Sequence, residues 1–398
     1  MDLRPDPLQA QLRRALRAGL DGATARPGVS GAPVDDGPAS PAAQVLAELG
    51  AALFELPSDA GGMELGLMAG VTVSEELGRA ACGNPYRAPA LAADAALASG
   101  RADVLDRLLA GVTVGAAGLD ALPTGGGVTI RPTGGGVPAR ATGGGWELTG
   151  TVIADAADAD LLAVACCPEG EPALALVPGG APGRKAVGGW PFLIELTDVT
   201  VTPGDLLSAL ASTALADPTP VPAAAPVGTG LTTTQASQGL TATPLARARV
   251  RQAAYLHGLA TGMLEAAVGY SGKRSQFGTR LREFQAVSFP LARAVVALRA
   301  ARLGLYHAAW LLESPQAGPV PGDPPAEALA ASAEALTGVA RVAMQACGVR
   351  AMTPELPLHR YYRIAVAEAT RYGHPAALWR LAGAARLAGY AGCMRPER

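Results

Sequence analysis

The hydrophobic period of this 398-residue chain changes twice. Up to about residue 112, apolar residues recur at helical spacing. From 113 to about 207, short Val/Thr/Ile stretches alternate with glycine triplets, and from 244 onward helical spacing returns. Side chains repeat every 3.6 residues around a helix and every two along a strand, so this pattern predicts a helical layer, a β-domain and a second helical block. The fold class that follows is α+β and multi-layer. The length admits two or three domains or one large multi-layer unit. At 49% hydrophobic residues, the chain can bury a substantial core.

Within the first layer, 8–20 reads as an Arg-rich amphipathic helix, followed by a polar Pro/Gly-bearing break at 26–40. Residues 42–54 are helical by period, 56–62 form a turn, and 71–81 form a helix that carries Glu75 and Glu76. Helical character continues over 91–109. In the middle region, Thr124-Gly125-Gly126-Gly127, Thr133-Gly134-Gly135-Gly136 and Thr142-Gly143-Gly144-Gly145 recur at nine-residue spacing. No helix begins after them and no Gly-Lys-Ser/Thr follows, so they read as hairpin turns and not as phosphate-cradling loops. Residues 160–165 and 192–201 read as strands. Residues 208–243, rich in Ala, Pro, Thr and Gly with Asp217 as the single charge, read as a linker or extended insertion. Two long helices follow, about 245–272 and 284–312, separated by Arg274-Ser275-Gln276-Phe277-Gly278. A helix over 325–347 comes next, then a segment from about 357 to 391 that Pro375 interrupts or caps. The expected domains are 1–112, 113–207, 208–243 and 244–398.

The net charge is −2 and the pI about 6.1, so no basic surplus points to nucleic acid or to an anionic membrane. The basic residues are nearly all Arg, with Lys185 and Lys273 the only lysines. Cys82, Cys166, Cys167, Cys347 and Cys393 have no ligand-like spacing, and the adjacent Cys166-Cys167 reads as a buried thiol pair and not as a metal site. That usage fits a reducing cytoplasm. The start, Met1-Asp2-Leu3-Arg4-Pro5, lacks the apolar core of a signal peptide. No apolar run reaches the ~20 residues of a membrane span.

The segment Arg274-Ser275-Gln276-Phe277-Gly278, with Phe284-Gln285 after it and the Ala/Gly-rich 258–270 before it, resembles the acyl-CoA dehydrogenase family. So do Gln345-Ala346-Cys347-Gly348, 356–363, Glu75-Glu76-Leu77-Gly78-Arg79-Ala80, and Leu148-Thr149-Gly150 with Ala159-Asp160-Leu161-Leu162. The resemblance covers nearly the whole chain. It implies an N-terminal helical domain, a middle β-domain and a C-terminal four-helix bundle. It also implies α,β-dehydrogenation of an acyl thioester: a carboxylate removes the α-proton while hydride leaves the β-carbon for FAD.

By the same resemblance, the base in most members is a Glu directly before Gly-Thr, nine residues after an Arg equivalent to Arg363. Counting nine gives Tyr372-Gly373-His374, which keeps the Gly and loses the Glu and the Thr. The other position used in the family, counted back from Phe277, is Ala248. Neither carries a carboxylate, so no catalytic residue is assigned; a metal ligand is not assigned either. Glu368, one turn from Tyr372, is the alternative acid, set against an ordinary paired helix glutamate. His374 is set against a capping histidine. The Thr-Glu-Pro-like segment that holds the flavin ring has no counterpart in Val114–Thr124. The ADP-side residues persist: Arg274, Phe277, Gln285, Gln345 and Gly348 match those that, in family tetramers, contact FAD bound by a neighbouring subunit. Arg suits a pyrophosphate because its planar fork donates paired, charge-assisted bonds. Val349 and Ala351 replace glycines of that turn, and a Val tolerates positive φ badly. Tyr270, Tyr306 and Trp310 read as core, and Tyr361 and Tyr362 as one inward and one outward.

The expected role is a divergent subunit of a heteromeric acyl-CoA dehydrogenase. It would lend ADP-side contacts to FAD shared across the interface with a paralogous subunit, in a heterotetramer acting on an acyl-CoA or acyl-carrier-protein thioester. Self-association to a dimer or tetramer is the other arrangement. The alternatives are a flavin-dependent monooxygenase or similar chemistry on the same fold, an ordinary homotetrameric dehydrogenase with a relocated base, and a scaffold without cofactor.

Overall fold

A computed structural model describes residues 6–24, 40–119, 139–142, 145–166, 173–187, 191–207, 243–314, 320 and 322–393. Residues 208–242 of the expected 208–243 linker, Cys167 and the first two glycine triplets lie outside the described residues.

Five helices come first: α1 (Pro7–Thr24), α2 (Pro41–Glu48), α3 (Leu67–Arg79), α4 (Arg87–Ala98) and α5 (Ala102–Leu109). Helix α2 is capped by Ser40, whose side chain accepts from the Ala43 amide, with Pro41 in the first turn. Two expected helices are shorter than their periodicity. The 42–54 segment breaks at Gly50 (φ 69°) into α2 and a 3-10 turn, and 91–109 divides into α4 and α5 at Gly100 (φ 66°). In both places apolar periodicity runs on across a backbone conformation that only glycine adopts freely.

The strands are β1 (Val114–Ala117), β2 (Ala139–Thr142), β3 (Gly145–Ala154), β4 (Leu161–Cys166), β5 (Ala173–Pro178), β6 (Arg184–Val187), β7 (Phe192–Val201) and β8 (Leu206–Leu207). They form one sheet in the order β6-β7-β3-β1-β4-β5-β8, with β2 on β3. β1 runs parallel to β4; the other pairings are antiparallel. β2 pairs with β3 with Thr142 opposite Gly145, while Gly143 and Gly144 of the third triplet lie outside the described residues. Strand β4 is buried on both faces. Leu161, Ala163 and Ala165 join the helical core, while Leu162, Val164 and Cys166 join a second core within the sheet layer.

The last block is α6 (Pro244–Lys273), the short hairpin β9 (Ser275–Gln276) and β10 (Thr279–Arg280), then α7 (Gln285–Glu313), α8 (Pro324–Cys347), α9 (Leu358–Glu368) and α10 (Pro375–Cys393). Thr243 caps α6 and Asp323 caps α8, each accepting from the amide three residues on and each followed by proline. Pro375 starts α10, so the 357–391 segment is two helices. Among the described residues, no helix is long and apolar enough to cross a membrane.

Helix α6 is buried on nearly every side along 248–260, as expected of a helix at the centre of a bundle. It crosses α3 at close range because glycines meet there. A Cβ added to Gly258 would lie 2.1 Å from the Glu75 carbonyl oxygen, and one added to Gly78 would lie 2.2 Å from that of Tyr255. On the next turn, a Cβ at Gly262 would sit 2.3 Å from the Arg79 carbonyl oxygen. Backbone meets backbone at this crossing, so no side-chain adjustment can make room. Gly258→Val is therefore expected to destabilise the protein by ~3 kcal/mol or more, read as a drop in Tm. Gly269→Ala, on the same helix with open space at its Cβ, is expected to leave Tm unchanged or slightly higher.

Candidate functional site

Two regions carry the residues singled out by the sequence, and they differ in character. The first is an exposed surface where α6 ends and α7 begins. Arg274 is the C-cap of α6, and its amide closes the last turn on the Tyr270 carbonyl. The β9–β10 hairpin follows, with Phe277 at its tip in the left-handed region (φ 52°) and 95% exposed. A bulky aromatic at positive φ and full exposure is costly twice over. Turned with its carbonyl oxygen inward, the Gln276 amide accepts from Arg274 Nε (3.3 Å) and Nη2 (2.6 Å), which steadies the guanidinium at the hairpin.

Gln285 opens α7 and is exposed. Gln345 lies in the last turn of α8, and Gly348 caps that helix. The two stretches face one groove: Leu281, Ala286 and Val287 line it from one side and Gln345 and Ala346 from the other. Gly348 takes the positive φ (59°) that the turn needs. Val349 is not among the left-handed residues; it is the exposed second residue of a 3-10 turn over Gly348–Met352. The doubt attached to Val349 is therefore resolved by the residue before it.

The second region is the junction of all three layers, and it is sealed. Tyr372, at the position where the family pattern has its glutamate, is 0% exposed with φ 61°. Its hydroxyl has no hydrogen-bond partner among the described residues. Burial pushes this phenol well above its usual pKa, so at neutral pH it can donate a proton bond but cannot abstract a proton. Ala248, the other customary position, is buried among apolar neighbours.

Glu368 lies beside Tyr372 and is only 1% exposed. Arg87 Nη2 from α4 approaches its Oε2 at 2.8 Å, and Arg371 Nε its Oε1 at 3.0 Å. Gln252 Nε2 from α6 donates to the same Oε2 at 3.0 Å. Asp155, just past β3, holds the other side of both arginines, at 2.9 Å from Arg87 and 3.2 Å from Arg371. Arg87 also lies 5.8 Å from the Tyr255 ring centre, whose hydroxyl donates to the Cys82 carbonyl at 2.6 Å. Burial alone would raise the Glu368 carboxyl, but the charges of Arg87 and Arg371 and the Gln252 bond outweigh it and hold the carboxyl below its ordinary value. A carboxylate saturated by two guanidinium groups and sealed from solvent is a poor base, so the structure favours the reading of Glu368 as a paired helix glutamate.

His374 is exposed; its Nδ1 accepts from the Ala376 amide at 3.3 Å and it caps α10. Tyr361 is buried and Tyr362 exposed, as expected. Trp310 is a correction: it is 43% exposed, because its position on α7 faces away from the bundle, and it stacks on His307 at 6.3 Å. β1 is wholly buried, and of the stretch compared with the flavin-ring segment only 114–119 lies among the described residues. No group of three or more metal-ligating side chains occurs among the described residues.

Residues 238–385 match the acyl-CoA dehydrogenase C-terminal domain. Over that stretch the chain is similar to the acyl-CoA dehydrogenase family. The bovine mitochondrial short-chain specific acyl-CoA dehydrogenase is 37% identical over 115 residues, 29% of this chain and 27% of the relative, so the match spans about a quarter of that protein's length. Among solved structures, the ChsE4–ChsE5 complex from Mycobacterium tuberculosis superposes with a TM-score of 0.71 at 21% identity, covering 100% of both chains. Butyryl-CoA dehydrogenase from Megasphaera elsdenii gives 0.71 at 19% identity, covering 97% of this chain and 100% of that one. At such identities the structural likeness establishes the acyl-CoA dehydrogenase fold.

The sequence did not point to Arg87, Asp155 or Arg371. The only local signal was the i,i+3 spacing of Glu368 and Arg371. Arg87 stands among uncharged residues, Asp155 in a stretch it shares with Asp158 and Asp160; they are 68 residues apart, and nothing short of the fold pairs them. Removing one member leaves buried charge uncompensated. Glu368→Gln is accordingly expected to cost about 3–5 kcal/mol, read by denaturant unfolding. The pH dependence has a definite sign. A carboxyl lowered in the folded state contributes stability above its unfolded pKa of about 4.3 and loses it as pH falls toward the folded value. Tm of the native protein should fall on acidification below about pH 5, more steeply than that of Glu368→Gln.

Proposed function

We propose that this chain is a divergent subunit of a heteromeric acyl-CoA dehydrogenase, presenting Arg274, Phe277, Gln285, Gln345 and Gly348 to FAD held by a paralogous catalytic subunit. The observation that carries this reading is the contrast between the two regions. The ADP-side residues lie at the surface, with Phe277 95% exposed. The position of the base is filled by a sealed, neutral Tyr372 beside a carboxylate already bound to two arginines.

The exposed residues fit the tail of the cofactor. The Arg274 guanidinium suits a pyrophosphate, and the Gln285 and Gln345 amides supply neutral donors and acceptors for the remainder. When bound in the partner, FAD supplies the hydride acceptor for dehydrogenation of an acyl thioester, on CoA or a carrier protein. This chain's own contribution is to fix the position of the cofactor's far end. The junction described above does not fit a reacting thioester, because its carboxylates are committed to arginine. One structural neighbour was itself solved as a complex of two named chains, ChsE4 with ChsE5, which supports a mixed assembly. The buried cysteines Cys82, Cys166 and Cys347 accord with a reducing compartment, and we propose the cytoplasm for the assembly.

The test is spectroscopic. Purified alone, the chain is expected to carry little or no flavin absorbance in the visible. Co-expressed with a paralogue that has an intact Glu-Gly-Thr, it should co-purify with FAD and with thioester dehydrogenase activity. Arg274→Gln in that complex should weaken FAD retention tenfold or more, since a charge-assisted contact is worth ~1.5–3 kcal/mol. A stoichiometric flavin on the isolated chain, reduced by an acyl-CoA, would refute this reading.

A further inference from the structure

A second polar cavity lies away from both regions, where α1, α3, α6 and α7 meet. It has a volume of about 230 Å³ and is lined by Arg13, Arg17, Arg79, Arg299 and Arg302, by Glu75 and Glu76, and by residues of α6 from His257 to Leu264. Five arginines face two glutamates here, an excess of three positive charges among the lining side chains. Asp21, 2.7 Å from Arg79, and Glu265, 3.9 Å from it, reduce that surplus on the outer side only.

The two carboxylates do not exhaust the donors around them. Glu76 accepts from Arg13, Arg17 and Arg79, each at 2.8 Å. Glu75 lies 2.6 Å from Arg13, 3.5 Å from Arg302 and 3.2 Å from His257. A guanidinium has five N–H donors, so every arginine in this ring keeps some in reserve. Arg299 is exposed and has no partner among the described residues. Arg17 and Arg302 are close to half exposed, 46% and 43%, and remain open to solvent. A structural ion pair needs one cation per carboxylate; here cations converge beyond that need on a space large enough for a small ligand.

We propose that this cavity binds a small multivalent anion carrying a phosphate or pyrophosphate group. Paired N–H donors from several guanidinium forks match phosphate oxygens. The volume is below the ~300 Å³ at which pockets for drug-sized molecules begin, which suits pyrophosphate itself or the diphosphate end of a nucleotide. The cavity is separate from the Arg274 surface: Thr261, which lines it, and Arg274 are thirteen residues apart on one helix, ~20 Å at 1.5 Å per residue. Occupancy would tie α1 to α7 through Arg13, Arg17 and Arg302.

Calorimetric titration of the full chain with inorganic pyrophosphate, at fixed ionic strength, tests this, with ADP as a second arm. Saturable binding is expected at one site, with a rise in Tm and weakening as salt is added. Arg299→Glu, at an exposed position that no fold contact uses, should weaken binding tenfold or more without changing the ligand-free Tm. Arg302→Gln should weaken it as well. Arg274→Gln should leave it unchanged, which separates this site from the proposed cofactor surface. ADP binding no tighter than pyrophosphate would identify the phosphate group itself as the ligand; ADP binding tenfold tighter, with the same loss in Arg299→Glu, would identify a nucleotide source. Absence of saturable binding at millimolar pyrophosphate overturns the proposal. So does binding that survives Arg299→Glu and is lost in Arg274→Gln.

Discussion

The buried charge network of Arg87, Asp155, Glu368 and Arg371 is the contact on which the rest of the molecule depends. It takes one residue from the N-terminal helices, one from the end of β3 and two from the C-terminal block, and Gln252 of α6 closes it. Isolated buried charges are strongly unfavourable, so two arginines and two carboxylates can be interior only if all four arrive together. The network thus fixes the relative placement of three layers that share no continuous strand or helix. A purely apolar junction could slide; charged forks and carboxylates have few registers in which they are satisfied.

That same network governs what the junction can do. Around Tyr372 the charged side chains are taken up by mutual pairing. Glu368 is committed to arginine, and Tyr372 is neutral and strained at φ 61°. The residues proposed to meet the cofactor lie at the periphery, at the α6–α7 hairpin and the α8 turn, and strain recurs there at Phe277.

Glycine sets the other constraint. The crossing of α3 and α6 is close enough that side chains at Gly78, Gly258 or Gly262 would run into backbone. The helices pack without an intervening layer there, and this draws Glu75 and Glu76 on α3 toward His257 on α6 and toward the arginines of α1. The arginine-rich cavity is a product of that crossing.

Much of this was legible in the sequence. The change of period at 113 and 244 and the Arg274–Gly278 turn are local features, written in residues close together along the chain. The helix breaks at Gly50 and Gly100 were not, because apolar spacing runs through them while the backbone turns. Trp310 was misplaced because periodicity tells that a helix has a buried face but not where a given residue stands once bundles pack. The sequence alone determined the element types, the family motif and the absence of a carboxylate at Tyr372 and Ala248. Only the tertiary structure decided that Glu368 is spent on Arg87 and Arg371 and that five arginines share one cavity. Charges pair through space, and Arg87 and Asp155, 68 residues apart, become neighbours only when the layers close.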